Sequence, residues 1–578
     1  MKLNKLLAVI LLSATTVVAQ DIGTTQVKVV EGFKPTIPEA ARLNEKAVFA
    51  DTLKKDRTQE YKVVESDLES DYKTRPLKAA KVKADKIPEL YATKISLGFG
   101  DNWNSRATVL YNSKRSETVS YGVLLNHFAN KYEAPFKYEG VGAQPQVALQ
   151  EYLVLVKNSK NTMHLYGKKI GGKHIFVSNL DYDRRTATYW PQSQYASEEN
   201  FVNRFAYTKF SVSAISKELS VDKLKHNTQF FISDLNEFSE NQIHLSSHLS
   251  KIINGLPYTL EVELNNYINY ARAETAFGKD KIDTKEIHLA PSAAITKFGL
   301  DLDLGMEFHY QANASESNLE VFPQVKVTKE LVKDVLLVYG GLRHSEKRHT
   351  LKSLSDENPY IHSYGANQSI LGNSTVSQGL RTTDSDEFYV VMRNLLGKGE
   401  VFEGSIAYGW INEFAHFVGE RNVYDRFLIN YINLTQLHVN INYNRKINDL
   451  VSLEAKADYY NWDKEVYYKP NLICGISAPV NLRNKIKVIP SLRYLGERVS
   501  KVGESSIESN DNFILSFTEL AIAKLPAQIH ADLGVYYNYS KQLSAYLQLN
   551  NLTNSKQELW MNHQEIGFNG VLGLSYSF

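Results

Sequence analysis

The chain is nearly without sulfur chemistry, with one cysteine and five methionines in 578 residues. Cys474 alone can form no intramolecular disulfide, and its apolar setting, Leu472 to Ile476, reads as a core or lipid-facing thiol. An excess of one charge is also missing. Lys and Arg number 66 against 64 Asp and Glu, a net +2 that points neither to nucleic acid nor to an acidic tail. After the first twenty residues there is no apolar run long enough for a helical span. There is no repeat of about 20 to 50 residues of the solenoid or propeller kind. A Gly-rich phosphate loop, zinc spacing and a nucleophile elbow are equally lacking. What is plentiful is aromatic: 35 Tyr and 25 Phe, a strand-rich balance. A mean hydropathy of -0.34 suits strands that spend an apolar residue only at every second position.

The two ends of the chain narrow the class. Lys2 and Lys5 precede an apolar run from Leu6 to Val18, with a small residue, Ala19, at the cut. This is a secretory signal, and it is shorter than the about 20 apolar residues of a membrane helix. The mature chain is expected to start near Gln20, and with no cysteine following directly it carries no lipid anchor. At the other end Leu572, Leu574, Tyr576 and Phe578 share one strand face, with Gly573, Ser575 and Ser577 on the other. A strand has period two, so this spacing gives an apolar face and a small or polar face, as in the last strand of an outer-membrane barrel.

The same alternation recurs from about Leu90 to the end. Leu300, Leu302, Leu304, Met306, Phe308 and Tyr310 oppose Asp301, Asp303, Glu307 and His309. Tyr258 to Asn265, Leu437 to Asn444, Val451 to Asp458 and Gln528 to Asn538 repeat it. A helix would scatter these residues around its circumference. Short turns (Gly171-Gly172-Lys173, Asn538 to Lys541) alternate with long polar stretches at Arg348 to Glu387, Glu497 to Asn512 and Asn554 to Gly570. The expected fold is all-β: a transmembrane antiparallel barrel of about 18 to 24 strands, even in number. Trp103, Tyr111, Trp410, Tyr443 and Trp462 are expected in its interfacial girdles.

The expected organisation is a signal peptide at 1–19, an N-terminal arm at 20–89 and the barrel at 90–578. The arm holds Pro35 to Ala41 and a basic segment, Lys73 to Lys86, with weak periodicity. It reads as a solvated leader, or as a strand that enters the lumen or meets a periplasmic or outer-membrane protein partner. Acidic lumen positions at Glu261, Glu263, Asp301 and Asp303 could receive it. Outer-membrane lipid is the other expected partner, and nucleic acid is not expected.

Leu543 to Asn554, Trp560, Gly567 and Val571 to Phe578 resemble the closing strands of TonB-dependent receptor barrels, in which an apolar strand runs into N-N-L-x-N. Pro470 to Leu472 and Arg493 to Gly496 look like strands of that barrel type in Bacteroidota, and Ile37 to Ala41 and Tyr111 to Gly122 look like uncharacterised barrels of the same group. The resemblance covers about the last hundred residues and implies a fold more than a function. Receptors of that family carry a plug of well over a hundred residues before the barrel, whereas only 20–89 precede the first strand here. A full plug does not fit. Thr25 to Val30 distantly resembles the segment that engages the energising partner. A barrel this wide would leak, so the arm, infolded loops such as 348–387, or another protein must narrow it.

Catalytic readings fare poorly. His244 and Ser246 resemble the base and nucleophile of outer-membrane phospholipase barrels, but the alternation turns them to the lumen, away from lipid. His244 and His248 share one strand and His309 lies on another, and lumen histidines on different strands need not meet as a metal site. No catalytic, cofactor or metal residue is therefore assigned, no enzyme is expected, and no cofactor. The leading function is a channel or receptor-like transporter for an unidentified solute. The alternative is a scaffold or subunit of an outer-membrane assembly with a blocked lumen.

Overall fold

The structure, a computed structural model, describes residues 90–578 except 139–149, 190–200, 219, 221, 237–239, 270–281, 314–316, 362–379, 398, 422–426, 511 and 557. The signal at 1–19 and the arm at 20–89 lie outside the described residues. Among the described residues, twenty-seven strands and one helix follow in order. They are β1 (Thr93–Gly100), β2 (Ser105–Asn112), β3 (Val119–Tyr138), β4 (Gln150–Ile170), β5 (His174–Tyr189), β6 (Phe201–Ser216), β7 (Lys225–Leu235), β8 (Glu240–Ile253) and β9 (Leu256–Asn269). Next come β10 (Ile282–Lys297), β11 (Leu300–Ala312), β12 (Ser317–Val332), β13 (Leu336–Arg348), α1 (Leu351–Glu357), β14 (Thr382–Gly397), β15 (Glu400–Arg421), β16 (Phe427–Lys446) and β17 (Ser452–Trp462). The last are β18 (Leu472–Ser477), β19 (Val480–Leu482), β20 (Ile486–Leu495), β21 (Arg498–Asn510), β22 (Asn512–Leu525), β23 (Gln528–Asn538), β24 (Leu543–Asn550), β25 (Glu558–Trp560), β26 (His563–Gln564) and β27 (Asn569–Ser577).

Strands β1 to β17 pair antiparallel in sequence. Strands β18 and β19 both pair with β20, as two pieces of one broken strand. The wall continues through β23, β24 and β27, and β27 pairs with β1 from Lys94↔Ser577 to Gly100↔Val571. The result is a closed antiparallel barrel of 22 strands, within the expected range and even. No helix among the described residues is long and apolar enough to cross a membrane.

The two ends differ as the turn chemistry requires. At one end connections are tight. Asn254-Gly255 joins β8 to β9 and Phe298-Gly299 joins β10 to β11, with positive φ at all four residues (52°, 81°, 56°, 70°), the two-residue turn whose twist matches a hairpin. At the other end the connections are long: 349–381, 463–471, 496–527 and 551–568. The faces follow the alternation. Leu572 and Leu574 are 64% and 59% exposed on the outside, while Val571 and Ser575 are 0% and 5% exposed on the lumen side.

Several expectations change in detail. Glu497 to Asn512 is not a loop, because β21 and β22 extend the β20/β23 hairpin; the backbone of β21 also pairs parallel with the end of β15 at Gly419 to Arg421. Arg348 and Thr382 to Glu387 are strand, with α1 between. Tyr111 and Trp410 lie on the outer face, but Trp462 points to the lumen, where its Nε1 donates to Gln436 Oε1 at 2.9 Å.

Strand β13 departs from the wall. It pairs with β12 only from Val325↔Leu342 to Val332↔Leu336, while residues 343–348 pair with β14 alone. The departure follows Leu342, just past Gly340-Gly341, where β13 and β12 approach so closely that a Cβ on Gly341 would overlap the Val325 carbonyl. Glycine inside a strand marks such a bend or close approach. Beyond it the outer half of the β13/β14 hairpin turns into the lumen. His344 stacks on the lumen-facing Phe322 at 3.5 Å, and Arg348 reaches Glu286 at 3.8 Å.

At the closing seam the ring of Tyr546 lies over Gly98 of β1 and Gly573 of β27, where any Cβ would overlap it. Replacing Gly573 with Val should destabilise the barrel by about 1–3 kcal/mol through overpacking. The readout is the temperature at which the folded band is lost in a heat-modifiable gel shift, and Tyr546→Ala in the same chain should recover part of the loss. An unchanged midpoint in Gly573→Val would show that the seam is not packed this way.

Candidate functional site: the capped mouth and the lumen wall

The long-loop end is bridged by the chain itself. Thirteen buried side chains form one apolar cluster, among them Phe205 of β6, Leu235 of β7, Leu351 and Leu354 of α1, Phe417 of β15, Phe427 of β16, Leu525 of β22 and Trp560 of β25. These elements come from well-separated parts of the wall, so the cluster spans the mouth. Its centre is aromatic. Trp560 packs edge-on to Phe417 at 5.1 Å and to Phe427 at 5.3 Å, and Tyr360 lies 3.7 Å from His563 between ring centroids.

Polar ties hold the cap to the wall. Thr350 caps α1 with a reciprocal Thr350/Ser353 capping box. The first turn is then seated by Glu240 of β8, which accepts from the Leu351 N–H at 2.6 Å and the Lys352 N–H at 3.2 Å. The last turn is held by Arg185 of β5, which donates to the Ser355 carbonyl at 2.5 Å and pairs with Asp356 at 3.4 Å. Asn203 of β6 donates to the Pro359 carbonyl at 2.8 Å. The buried Arg498 donates to the Leu559 and Glu558 carbonyls at 2.6 and 2.9 Å, and the Tyr132 hydroxyl donates to the Gln564 carbonyl at 3.1 Å.

Below the cap the lumen is polar. His438 of β16 stacks on Tyr460 of β17 (4.4 Å, 8°), and Tyr460 stacks on Trp462 (5.6 Å, 1°), an aromatic stair leading up to the cap. Asp458 accepts from Asn440 at 2.8 Å and faces His438 at 3.0 Å. The acidic positions expected in the lumen are there: Glu261 faces His248 at 3.1 Å, and Asp303 pairs with Lys326 at 3.4 Å.

The histidines considered in the sequence part company. His244 faces Asn265 at 2.7 Å and His248 faces Glu261, both away from His309. His309 instead meets Glu346 of the infolded hairpin at 2.6 Å. One donor atom each of His309, Glu320 and Glu346, and likewise of His344, Glu346 and Asp384, lie within 4.8 Å of one another. The strand alternation alone would place His344 and Glu346 with the outward Leu342. Only the departure of β13 from β12 after Leu342 brings them inside, and the glycine pair just before it was the one available signal.

No protein-family model matches the chain, and no curated protein matches it. The fold is that of the large receptor-type outer-membrane barrels. It is similar to the FrpB iron transporter from Neisseria meningitidis (F3-3 variant), with a TM-score of 0.61 at 10% identity over 85% of this chain and 82% of that one. It is also similar to a ferric enterobactin receptor mutant from Pseudomonas aeruginosa in complex with enterobactin (TM-score 0.59, 12% identity, 84% and 81% covered). A third neighbour is the ferric-catecholate import receptor Fiu from K12 E. coli in its closed form (0.58, 10%, 84% and 82%). These neighbours are an iron transporter and two ferric-chelate receptors. At such identities the likeness is one of fold.

Two cap histidines are buried as neutral rings. Burial holds His563 down to about 4, against a hydrogen bond to the Met561 carbonyl. Burial, helped by Lys347, Lys469 and Arg348, holds His349 down to about 3. In an opened cap both would titrate near 6.5. The depressed values mean that the opened form binds more protons, so closure is fully stable above about pH 6.5 and weakens as pH falls towards 4. At pH 5 the loss is about 2 kcal/mol for each histidine. Protease cleavage within 349–381 should therefore rise between pH 7.5 and pH 5, and less steeply in His563→Gln. Cleavage independent of pH would mean that these rings are already solvated.

Proposed function

We propose that the chain is an outer-membrane, receptor-like transporter barrel, with the long-loop end outward and the short turns in the periplasm. The observation that carries the reading is the pairing of a closed 22-strand wall and polar lumen with a mouth bridged by an apolar cluster of the chain's own loops. A barrel of this width without an occupant is a leak. A cap built from loop segments, rather than from wall strands, can open without breaking the wall. The outward apolar face and the signal-like N-terminus support the outer-membrane setting. The solutes named for the neighbours, iron and ferric enterobactin, make ferric chelates the first class to test. The aromatic stair of Tyr460 and Trp462 offers flat faces to a planar ligand.

A second reading, a scaffold with a blocked lumen, is favoured by the same cap if the cap never opens. Planar-bilayer conductance separates the two. The full-length barrel should be silent, and a variant with 349–381 replaced by a short Gly/Ser linker together with Trp560→Ala should conduct. Removing Trp560 alone is expected to cost the cap about 3–5 kcal/mol. A silent, folded double variant would sink the transporter reading and favour the scaffold.

A further inference from the structure

We infer a binding site for one divalent first-row transition cation where the infolded β13/β14 hairpin meets the lumen wall, with Glu346 as the shared ligand, His309 and Glu320 from the wall and His344 and Asp384 from the hairpin. The inference goes beyond the transport reading and holds whether or not the barrel conducts.

Geometry is the first ground. Two ligands bonded to one metal at about 2.0–2.2 Å lie about 3–4 Å apart, which the two triads allow, since their donor atoms fall within 4.8 Å of one another. The site is also enclosed: His309 and His344 are 4% and 6% exposed. Phe322 stacked on His344 and Asp386 at 2.9 Å from its Nδ1 fix that ring, leaving Nε2 towards Glu346 at 3.2 Å. A partner that orients a ligand histidine through its second nitrogen is usual around metals.

Charge is the second ground. Glu320, Glu346, Asp384 and Asp386 crowd the two rings, and among the described residues the ion pairs of Glu346 and Asp386 are with His309 and His344 and include no Lys or Arg. The nearby Arg348 is committed to Glu286 and to the face of Tyr267. Like charges gathered in a partly enclosed space favour a counter-charge. The third ground is the orientation of His309, whose Nδ1 faces the shared Glu346 at 2.6 Å and is the nitrogen a cation there would take. Imidazole with carboxylate and no sulfur donor suits Zn²⁺, Fe²⁺, Mn²⁺ or Co²⁺ and disfavours Cu⁺.

Because its ligands come from both the wall and the hairpin, the cation would clamp the hairpin inside the lumen. The test uses the full-length barrel in detergent, stripped with chelator and titrated calorimetrically with Zn²⁺ and Mn²⁺. Hydrogen exchange is then followed at 343–348 and 382–387. One saturable equivalent of at least one ion is expected, with slower exchange in both segments. Glu346→Gln and the wall variant His309→Gln should each weaken binding about 10-fold or more. His248→Gln, elsewhere in the lumen, should not. Heat-modifiable mobility on gels shows which variants fold. Absence of saturable uptake of either ion, uptake that Glu346→Gln and His309→Gln leave unchanged, or binding without exchange protection would overturn the proposal.

Discussion

Backbone pairing governs this molecule. A strand that faces an apolar phase cannot leave its N–H and C=O groups to water, and each unpaired group there costs several kcal/mol. An open sheet of this size would carry two such edges. Pairing β27 with β1 over seven residues removes both, and the Tyr546 ring over Gly98 and Gly573 shows how closely the seam packs. Closure also dictates the even strand count and sets the first and last strands side by side.

Closure in turn creates the problem that the cap answers. Twenty-two strands enclose a bore too wide for wall side chains to fill. The chain uses two interiors instead. Along the wall, the lumen is polar, with His438 and Asn440 both hydrogen-bonded to Asp458. At the mouth, Trp560, Phe417, Phe427 and Leu351 make a soluble-protein core that excludes water. The join between the two is electrostatic, with Glu240 and Arg185 holding opposite ends of α1. Apolar burial supplies the cap's cohesion, and these charged ties fix where it sits.

What could be read from the sequence was what depends on neighbours in the chain. Leu300 to Tyr310 announces β11 because a period of two is local, and Val571 to Phe578 announces the closing strand for the same reason. The cap is different. Helix α1 has seven residues, too few for a helical period to show, and only the Thr350/Ser353 capping box marks its start. Its seat on Glu240 joins residues more than a hundred positions apart. Trp462 was read as an interfacial aromatic from its place near a strand end, but its face was set by register with Gln436. The His309 and Glu346 contact was hidden because it needs a strand to leave its sheet.

Why β13 leaves can be argued from the outer face. Along β14, Met392, Val390 and Phe388 are 40%, 50% and 56% exposed on the outside, and the next positions on that face are Asp386, Asp384 and Thr382. Opposite them on β13 stand Leu342, then His344, Glu346 and Arg348. On β13 and β14 the outward apolar positions therefore stop at the Leu342 and Phe388 level, while on the neighbouring strands Val321 and Leu319 of β12 and Trp410 of β15 continue beyond it. Had β13 stayed on β12, continued register would pair Gln324 with Arg343 and Glu320 with Lys347, and would turn His344, Glu346 and Arg348 outward at the edge of the membrane. Charged groups on that face cost up to about 2–4 kcal/mol each at the bilayer centre and little at its rim. Staying would thus gain ladder hydrogen bonds but forfeit the Arg348–Glu286 and His309–Glu346 pairs and the burial of Leu351 and Leu354. The contacts that the infolded hairpin makes inside the lumen thus stand against the ladder hydrogen bonds that the outer half of β12 forgoes, and the balance falls to the infolded hairpin.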